Sequence, residues 1–189
     1  MGSGYWQNPV IFLLNTAFTF YILILMIRIL LELNGGQDRF NPLIQFINRI
    51  TEPVLRPLRP ILPTYHRLNL SALLVMYVTK LLYYILALLI ITGAILLPLP
   101  VLLRGALVDI IMLLLNLYTF TIVLQAILSW VNPGTYHPAT MILYNINAPL
   151  LDRAQRLLPP MGGIDFSPIL VLLMIQVLKM LVGPFGIGL

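Results

Sequence analysis

The chain has 189 residues, 60% of them hydrophobic and 9% charged, with a formal net charge of +5. A soluble domain carries about 25% charged residues, so this composition cannot cover the surface of a water-soluble globule of this size. There are no cysteines, which excludes disulfides, iron–sulfur ligation and cysteine-based zinc sites. The net positive charge is to be read by its place along the chain rather than as a nucleic-acid signal.

The first apolar run, at about 10–33, carries Arg28 and Glu32 only near its end. It lacks a basic leader and exceeds the apolar core of a secretory signal, so it is expected to be a retained span. Residues 41–62 read as an amphipathic segment. Leu43, Phe46, Ile47, Ile50 and Val54 share one face, and Gln45, Asn48, Glu52 and Arg56 another. Thr51-Glu52-Pro53 predicts a break and restart, with Thr51 as a cap. Asn69 stands where a helix cap belongs, before a second apolar run at about 70–97 whose one charge is Lys80. A third run, at about 106–131, carries Asp109. A second amphipathic segment at 138–158 leads to Asp165 and Ser167 as cap residues, and then to a fourth run at about 166–182 that carries Lys179. Gly183–Gly188 reads as a flexible end. Runs of this length cross a hydrocarbon core of about 30 Å as helices, and they lack the alternation of barrel strands. The predicted fold is therefore an all-α membrane protein with four transmembrane helices.

Pro53-Val54-Leu55 lies over Pro149-Leu150-Leu151 at an offset of 96 residues. The same offset sets Leu62-Pro63 over Leu158-Pro159 and Asn69-Leu70-Ser71 over Asp165-Phe166-Ser167. The chain thus reads as a tandem duplication, 1–97 and 98–189, each unit a span, an amphipathic segment and a second span. Two spans per unit give both copies the same orientation. Arg39, Arg49, Arg56, Arg59 and Arg67 lie between spans 1 and 2, and Arg153 and Arg156 between spans 3 and 4. Arg104 alone lies between spans 2 and 3. The positive-inside rule places loops 34–69 and 132–165 in the cytoplasm and both termini outside. Arg49, Arg56, Arg59, Arg153 and Arg156 are then candidates for contact with lipid phosphates or a partner. The alternative reading makes the amphipathic segments rigid connectors packed on the ends of the spans.

Lys80 falls about ten residues, or about 15 Å, into its span. A charge at that depth costs about 2.5–3.5 kcal/mol on insertion scales, so Lys80 is either functional or paired. Tyr77, Tyr83 and Tyr84 lie on or near the same stretch as candidate acceptors of its hydrogen bonds, and Tyr77 and Tyr84, at i−3 and i+4, share its face. Asp109 and Lys179 are expected at similar depth and are candidates for an interhelical pair, and Arg28 and Glu32 for a local i,i+4 pair. The sequence has no phosphate-binding loop, no metalloprotease motif and no nucleophile elbow. Its two histidines, His66 and His137, stand in different loops. No enzyme activity, cofactor or metal is expected.

Three groups of residues carry a resemblance to a known family. They are Asn41-Pro42, Ile50-Thr51-Glu52-Pro53, Arg56-Pro57-Leu58-Arg59 and Leu62-Pro63 in the first unit, Leu128-Ser129-Trp130 and Ala148-Pro149-Leu150-Leu151 in the second, and above all the run from Leu158 to Pro168. The chain resembles the YggT family of bacterial and plastid membrane proteins over nearly its whole length. The resemblance implies a multi-pass inner-membrane protein without an assigned biochemical activity. Relatives are linked to osmotic tolerance and potassium uptake, and in plastids to cytochrome complex assembly. The expectation is a non-enzymatic scaffold or assembly factor that meets the bilayer and a membrane-protein partner or its own copies, with no direct nucleic-acid contact. The alternative is a cation transport or osmotic-adaptation component.

Overall fold

A computed structural model describes residues 4–35, 40–60, 62, 67–94, 98–131, 137–157 and 165–187. Arg39, His66, the stretch from Leu158 to Ile164 and the side chain of Trp130 lie outside the described residues. Within them the chain is all helical: α1 Gly4–Leu33, α2 Pro42–Leu55, α3 Leu70–Thr92, α4 Leu99–Val131, α5 Pro138–Leu157 and α6 Ser167–Val182, closed by a 3₁₀ turn at Gly183–Phe185. Helices α1, α3, α4 and α6 are long and apolar enough to cross a membrane. Their outward faces show Phe12, Phe20, Phe120, Leu173, Met180 and Leu181, each 60% exposed or more. So continuous an apolar exterior fits lipid as the solvent, since soluble monomers keep such patches small.

Helix α1 packs on α3, α3 on α4, and α4 on α6. The short helices α2 and α5 touch each other at one end of this bundle. Ile22, Leu25 and Ile29 of α1 meet Ala72, Val75 and Met76 of α3 in one core cluster, together with Ile44 and Leu55 of α2 and Ile146 of α5. A second cluster sets Tyr83, Tyr84 and Ala87 of α3 against Leu102 and Ala106 of α4. A third joins Ile122, Leu151, Ala154, Val171 and Ile175 across α4, α5 and α6. Two side-chain amides tie the halves together at the short-helix end: Asn34 donates to the Asn145 carbonyl at 2.8 Å and Asn41 to the Pro138 carbonyl at 3.0 Å.

Several element boundaries differ from those read in the sequence. Helix α3 ends at Thr92 rather than at 97, because Gly93 caps it in the left-handed region at φ 71°. The following residues are as apolar as the span itself, so hydropathy hides the turn. Helix α4 begins at Leu99, seven residues before the expected start, which brings Arg104 inside it. Helix α1 likewise starts six residues early. The predicted break at Thr51-Glu52-Pro53 is absent, and α2 runs through Pro53 to Leu55. Thr51 is not a cap. Its hydroxyl donates to the Ile47 carbonyl at 2.7 Å within the helix, while Asn41 caps α2 by accepting from the Leu43 amide at 2.9 Å. The C-terminal segment read as a flexible end instead packs on α4, where the lack of a side chain at Gly105 admits Ile187.

The apolar surface of α2 is also split. Ile44, Thr51 and Leu55 form the buried edge, while Leu43, Phe46 and Val54 stay exposed beside it. The expected stripe is therefore mostly the part that does not pack on the protein.

Candidate functional site

Buried polar groups in a lipid-solvated bundle must find partners within the protein, and four such groupings mark the described structure. The largest joins α1, α2 and α3 at the short-helix end. Arg28 is 4% exposed. Its Nε donates to Glu32 Oε1 at 2.8 Å, as the i,i+4 spacing predicts, but its other nitrogens reach the next helix. Nη2 donates to Glu52 Oε2 at 2.9 Å, and Nη1 donates to the Thr51 hydroxyl. Arg59 closes on the other side of Glu52 at 2.8 Å. Asn69 caps α3 through the Ala72 amide at 3.1 Å and also donates to Glu32 at 3.1 Å.

Beside this network lies a cavity of about 740 Å³ lined by Arg28, Glu32, Gly35, Asn48, Arg49, Glu52, Arg59, Arg67 and Asn69. Arg49 and Arg67 are exposed and make no ion pair or hydrogen bond among the described residues. The other arginine candidates, Arg56, Arg153 and Arg156, are also exposed and free of ion pairs there. Sequence reasoning singled out neither Thr51 nor Glu52 as partners of Arg28. The available signal was a charged residue one turn from the end of a span and an acidic residue in the segment that follows it.

The second grouping lies inside the bundle. Lys80 Nζ sits 2.8 Å from Asp109 Oδ2, and the Tyr84 hydroxyl donates to the same oxygen at 2.7 Å. The ammonium also stands 4.7 Å and 5.1 Å from the ring centroids of Tyr83 and Tyr84, within cation–π range. The expected Asp109–Lys179 pair does not form. Lys179 of α6 stands beside Thr119, ten residues further along α4, and donates to its hydroxyl at 2.8 Å, while Asp109 pairs with Lys80 of α3. The expected acceptors also differ. Tyr77 donates to the Leu103 carbonyl at 2.9 Å, and Tyr84 serves Asp109 rather than Lys80. A cleft of about 220 Å³ adjoins the pair, lined by Lys80 and Asp109 with Asn15, Thr19 and Asn116.

The third grouping ties α5 to α4. Asn147, fully buried, accepts from the Thr121 hydroxyl at 2.8 Å and donates to Gln125 Oε1 at 2.8 Å. The fourth is the start of α6. Asp165 Oδ1 accepts from the Ser167 amide at 2.9 Å, and Oδ2 from the Gln155 amide group at 2.8 Å. Among the described residues no cluster of histidine and acidic side chains is placed to hold a metal.

With this geometry in view, comparison with known proteins gives one family. The CCB3/YggT family model matches residues 7–90 and 105–186. The chain belongs to the CCB3/YggT family. Among its relatives is a Pseudomonas aeruginosa protein described as uncharacterized, 36% identical over 191 residues, covering 93% of this chain and 89% of that one. The YggT protein of Escherichia coli K12, also described as uncharacterized, is 32% identical over 174 residues, covering 92% and 89% of the two chains. A Vibrio alginolyticus protein is 31% identical over 178 residues, covering 94% and 95%. No solved structure matches the chain. Family membership spans both halves and all four groupings of polar residues, and it brings no catalytic assignment with it.

Proposed function

We propose that this family member is a non-enzymatic inner-membrane scaffold or assembly factor. On this reading α2 and α5 lie in the cytoplasmic membrane–water interface and present arginines to lipid or to a membrane-protein partner, which includes further copies of the chain. The observation that carries it is the exposed edge of α2 at the short-helix end of the bundle. Leu43, Phe46 and Val54 are 40%, 60% and 41% exposed, next to Arg56, which makes no ion pair among the described residues. Helix α5 repeats the arrangement with Met141 and Tyr144 exposed and with Arg153 and Arg156 beyond them. A helix that is apolar below and basic above is built for an anionic surface. The positive-inside rule supports the cytoplasm as the side these helices face.

The natural absence of cysteine makes the test direct. Single cysteines at Arg56 and Arg153 should be labelled by an impermeant maleimide from the cytoplasmic side only. A photo-crosslinking residue at Phe46 should capture lipid or one specific protein in native membranes, and Arg56→Ala with Arg59→Ala should abolish the protein product while insertion stays normal. Labelling of the two positions from opposite sides would end the proposal.

One observation favours a second reading, a cation transport or osmotic-adaptation component. Lys80, Asp109, Asn15, Thr19 and Asn116 line a polar cleft among α1, α3 and α4, and intramembrane ionisable groups often mark ion paths. Loss of potassium flux in Lys80→Leu, with normal insertion, would favour it over the scaffold.

A further inference from the structure

We propose that the cavity at the α1–α2–α3 junction binds a phosphate group, presented either by a lipid headgroup or by a soluble phosphate compound. This goes beyond the scaffold reading and stands without it.

Four arginines and two glutamates line the cavity: Arg28, Arg49, Arg59 and Arg67 against Glu32 and Glu52. Both carboxylates are already committed. Glu32 holds Arg28, and Glu52 holds Arg28 and Arg59. Arg49 and Arg67 therefore face the same space with no acidic partner among the described residues. Two guanidinium groups around one cavity repel each other unless an anion lies between them. Their planar forks match the oxygens of a phosphate in paired hydrogen bonds. The wall behind them is fixed in advance, because Arg28 is buried and bound at three nitrogens to two helices. A site held this way loses little freedom on binding. A volume of about 740 Å³ admits a phosphate with part of the molecule that carries it.

The second half supplies an internal control. At the offset of 96, Arg28, Glu32, Arg49, Glu52 and Arg59 are replaced by Leu124, Leu128, Asn145, Ala148 and Gln155. The equivalent joint forms there without a single charge at these positions, so folding of the joint does not require the charged set. The apolar edge of α2 at Phe46 and Val54 runs along the same helix as Arg49, which favours a phosphate held at headgroup depth.

The purified full-length chain in neutral detergent would be titrated with dihexanoyl phosphatidic acid, with dihexanoyl phosphatidylcholine and with inorganic phosphate, at constant ionic strength. The chain is compared with Arg49→Gln/Arg67→Gln and with Arg104→Gln, an exposed arginine near the start of α4 that does not line the cavity. None of these three arginines has an ion-pair partner among the described residues, so both variants should keep the parent's circular dichroism and unfolding midpoint. The single Arg67→Gln serves if the double fails to fold. Saturable binding of phosphatidic acid is expected, at least about tenfold weaker in Arg49→Gln/Arg67→Gln and unchanged in Arg104→Gln. Binding of the lipid alone names the headgroup as the source, and binding of inorganic phosphate as well names the free anion. Equal weakening in both variants, equal binding of the zwitterionic lipid, or no saturable binding would overturn the proposal.

Discussion

Thr51 of α2 and Asn147 of α5 stand 96 residues apart, are both fully buried, and are each hydrogen-bonded to the span that precedes their helix. In the first half that tie is charged: Arg28 reaches from α1 to Thr51 and Glu52, with Glu32 and Arg59 completing the network. In the second half it is neutral, a relay from Thr121 through Asn147 to Gln125. Each short helix also carries an internal proline two residues after this polar anchor, Pro53 or Pro149. A proline removes an amide from the helical ladder, and in both halves a side chain from the neighbouring span grips the same turn. The difference teaches that the joint needs a buried polar anchor and not a charge. The charged version does something more, since it leaves a cavity with two arginines that have no acidic partner among the described residues.

The largest effect should come from breaking the charged tie. Arg28→Met removes the buried cation that Glu32 and Glu52 share, leaving Glu32 with Asn69 and the half-buried Glu52 with Arg59, and removing one member of such a network costs up to about 3–5 kcal/mol. The loss is read as a shift in the unfolding free energy of the detergent-solubilised chain under dodecyl sulfate titration. A change below about 1 kcal/mol would show that the first-half network is solvated in solution and that the contrast between halves is only apparent.

The pair that bridges the halves comes next. Lys80 of the first half and Asp109 of the second map at the offset of 96 onto Gln176 and Leu13, so this contact belongs to neither joint. Lys80→Met leaves an intramembrane carboxylate whose remaining hydrogen bond is from Tyr84, at a cost of up to about 2.5–3.5 kcal/mol. Lys80→Met with Asp109→Leu should recover most of it, because a paired ion set replaced by apolar groups is often neutral. Failure of the double to recover would mean that the two residues act separately.

The neutral joint should be gentler. Asn147→Leu leaves the Thr121 hydroxyl and Gln125 amide without their mutual partner, at about 1–3 kcal/mol, and with no dependence on salt. A loss equal to that of Arg28→Met would erase the distinction between a charged and an uncharged anchor.

What the sequence revealed of all this follows from the range of each interaction. Four long apolar runs set the spans, and cap grammar found Asn69, since a cap acts within three residues of itself. The Arg28–Glu32 pair was legible for the same reason. The end of α3 at Gly93 was hidden because the residues beyond it in sequence are as apolar as the span, and the depth of Lys179, level with Thr119 rather than Asp109, depends on how α6 packs on α4. The reach of Arg28 to Glu52 depends on how α2 folds back on α1, which no local spacing encodes. Asn147 was detectable in principle: it is a polar residue on the otherwise apolar Leu143–Leu151 stripe, at the position matched by Thr51.

The finest comparison is between Asn69 and Asp165, which match at the offset of 96. Asn69 is the N-cap of α3, whereas Phe166 stands at the N-cap of α6 without a side-chain hydrogen bond and Asp165, expected as the cap, lies one residue further out and accepts from the Ser167 amide. Asn69→Ala should destabilise by about 1 kcal/mol, and its effect should be coupled to Glu32, to which it also donates. Asp165 differs because it titrates. Partial burial pushes its carboxyl upward, but the hydrogen bonds from Ser167 and Gln155 outweigh this and hold it below the ordinary carboxylate range. A carboxyl depressed in the folded state contributes its full stabilisation above the unfolded value of about 3.9. That contribution fades as the pH falls through the lower folded value. Acidification from neutrality to below about pH 4 should therefore loosen the first turn of α6, seen as faster amide exchange at the start of α6 after correction for the intrinsic rate. In Asp165→Asn that response should be lost. Equal acid sensitivity of the first turn of α6 in the parent chain and in Asp165→Asn would mean that the carboxylate of Asp165 adds nothing beyond what an amide supplies.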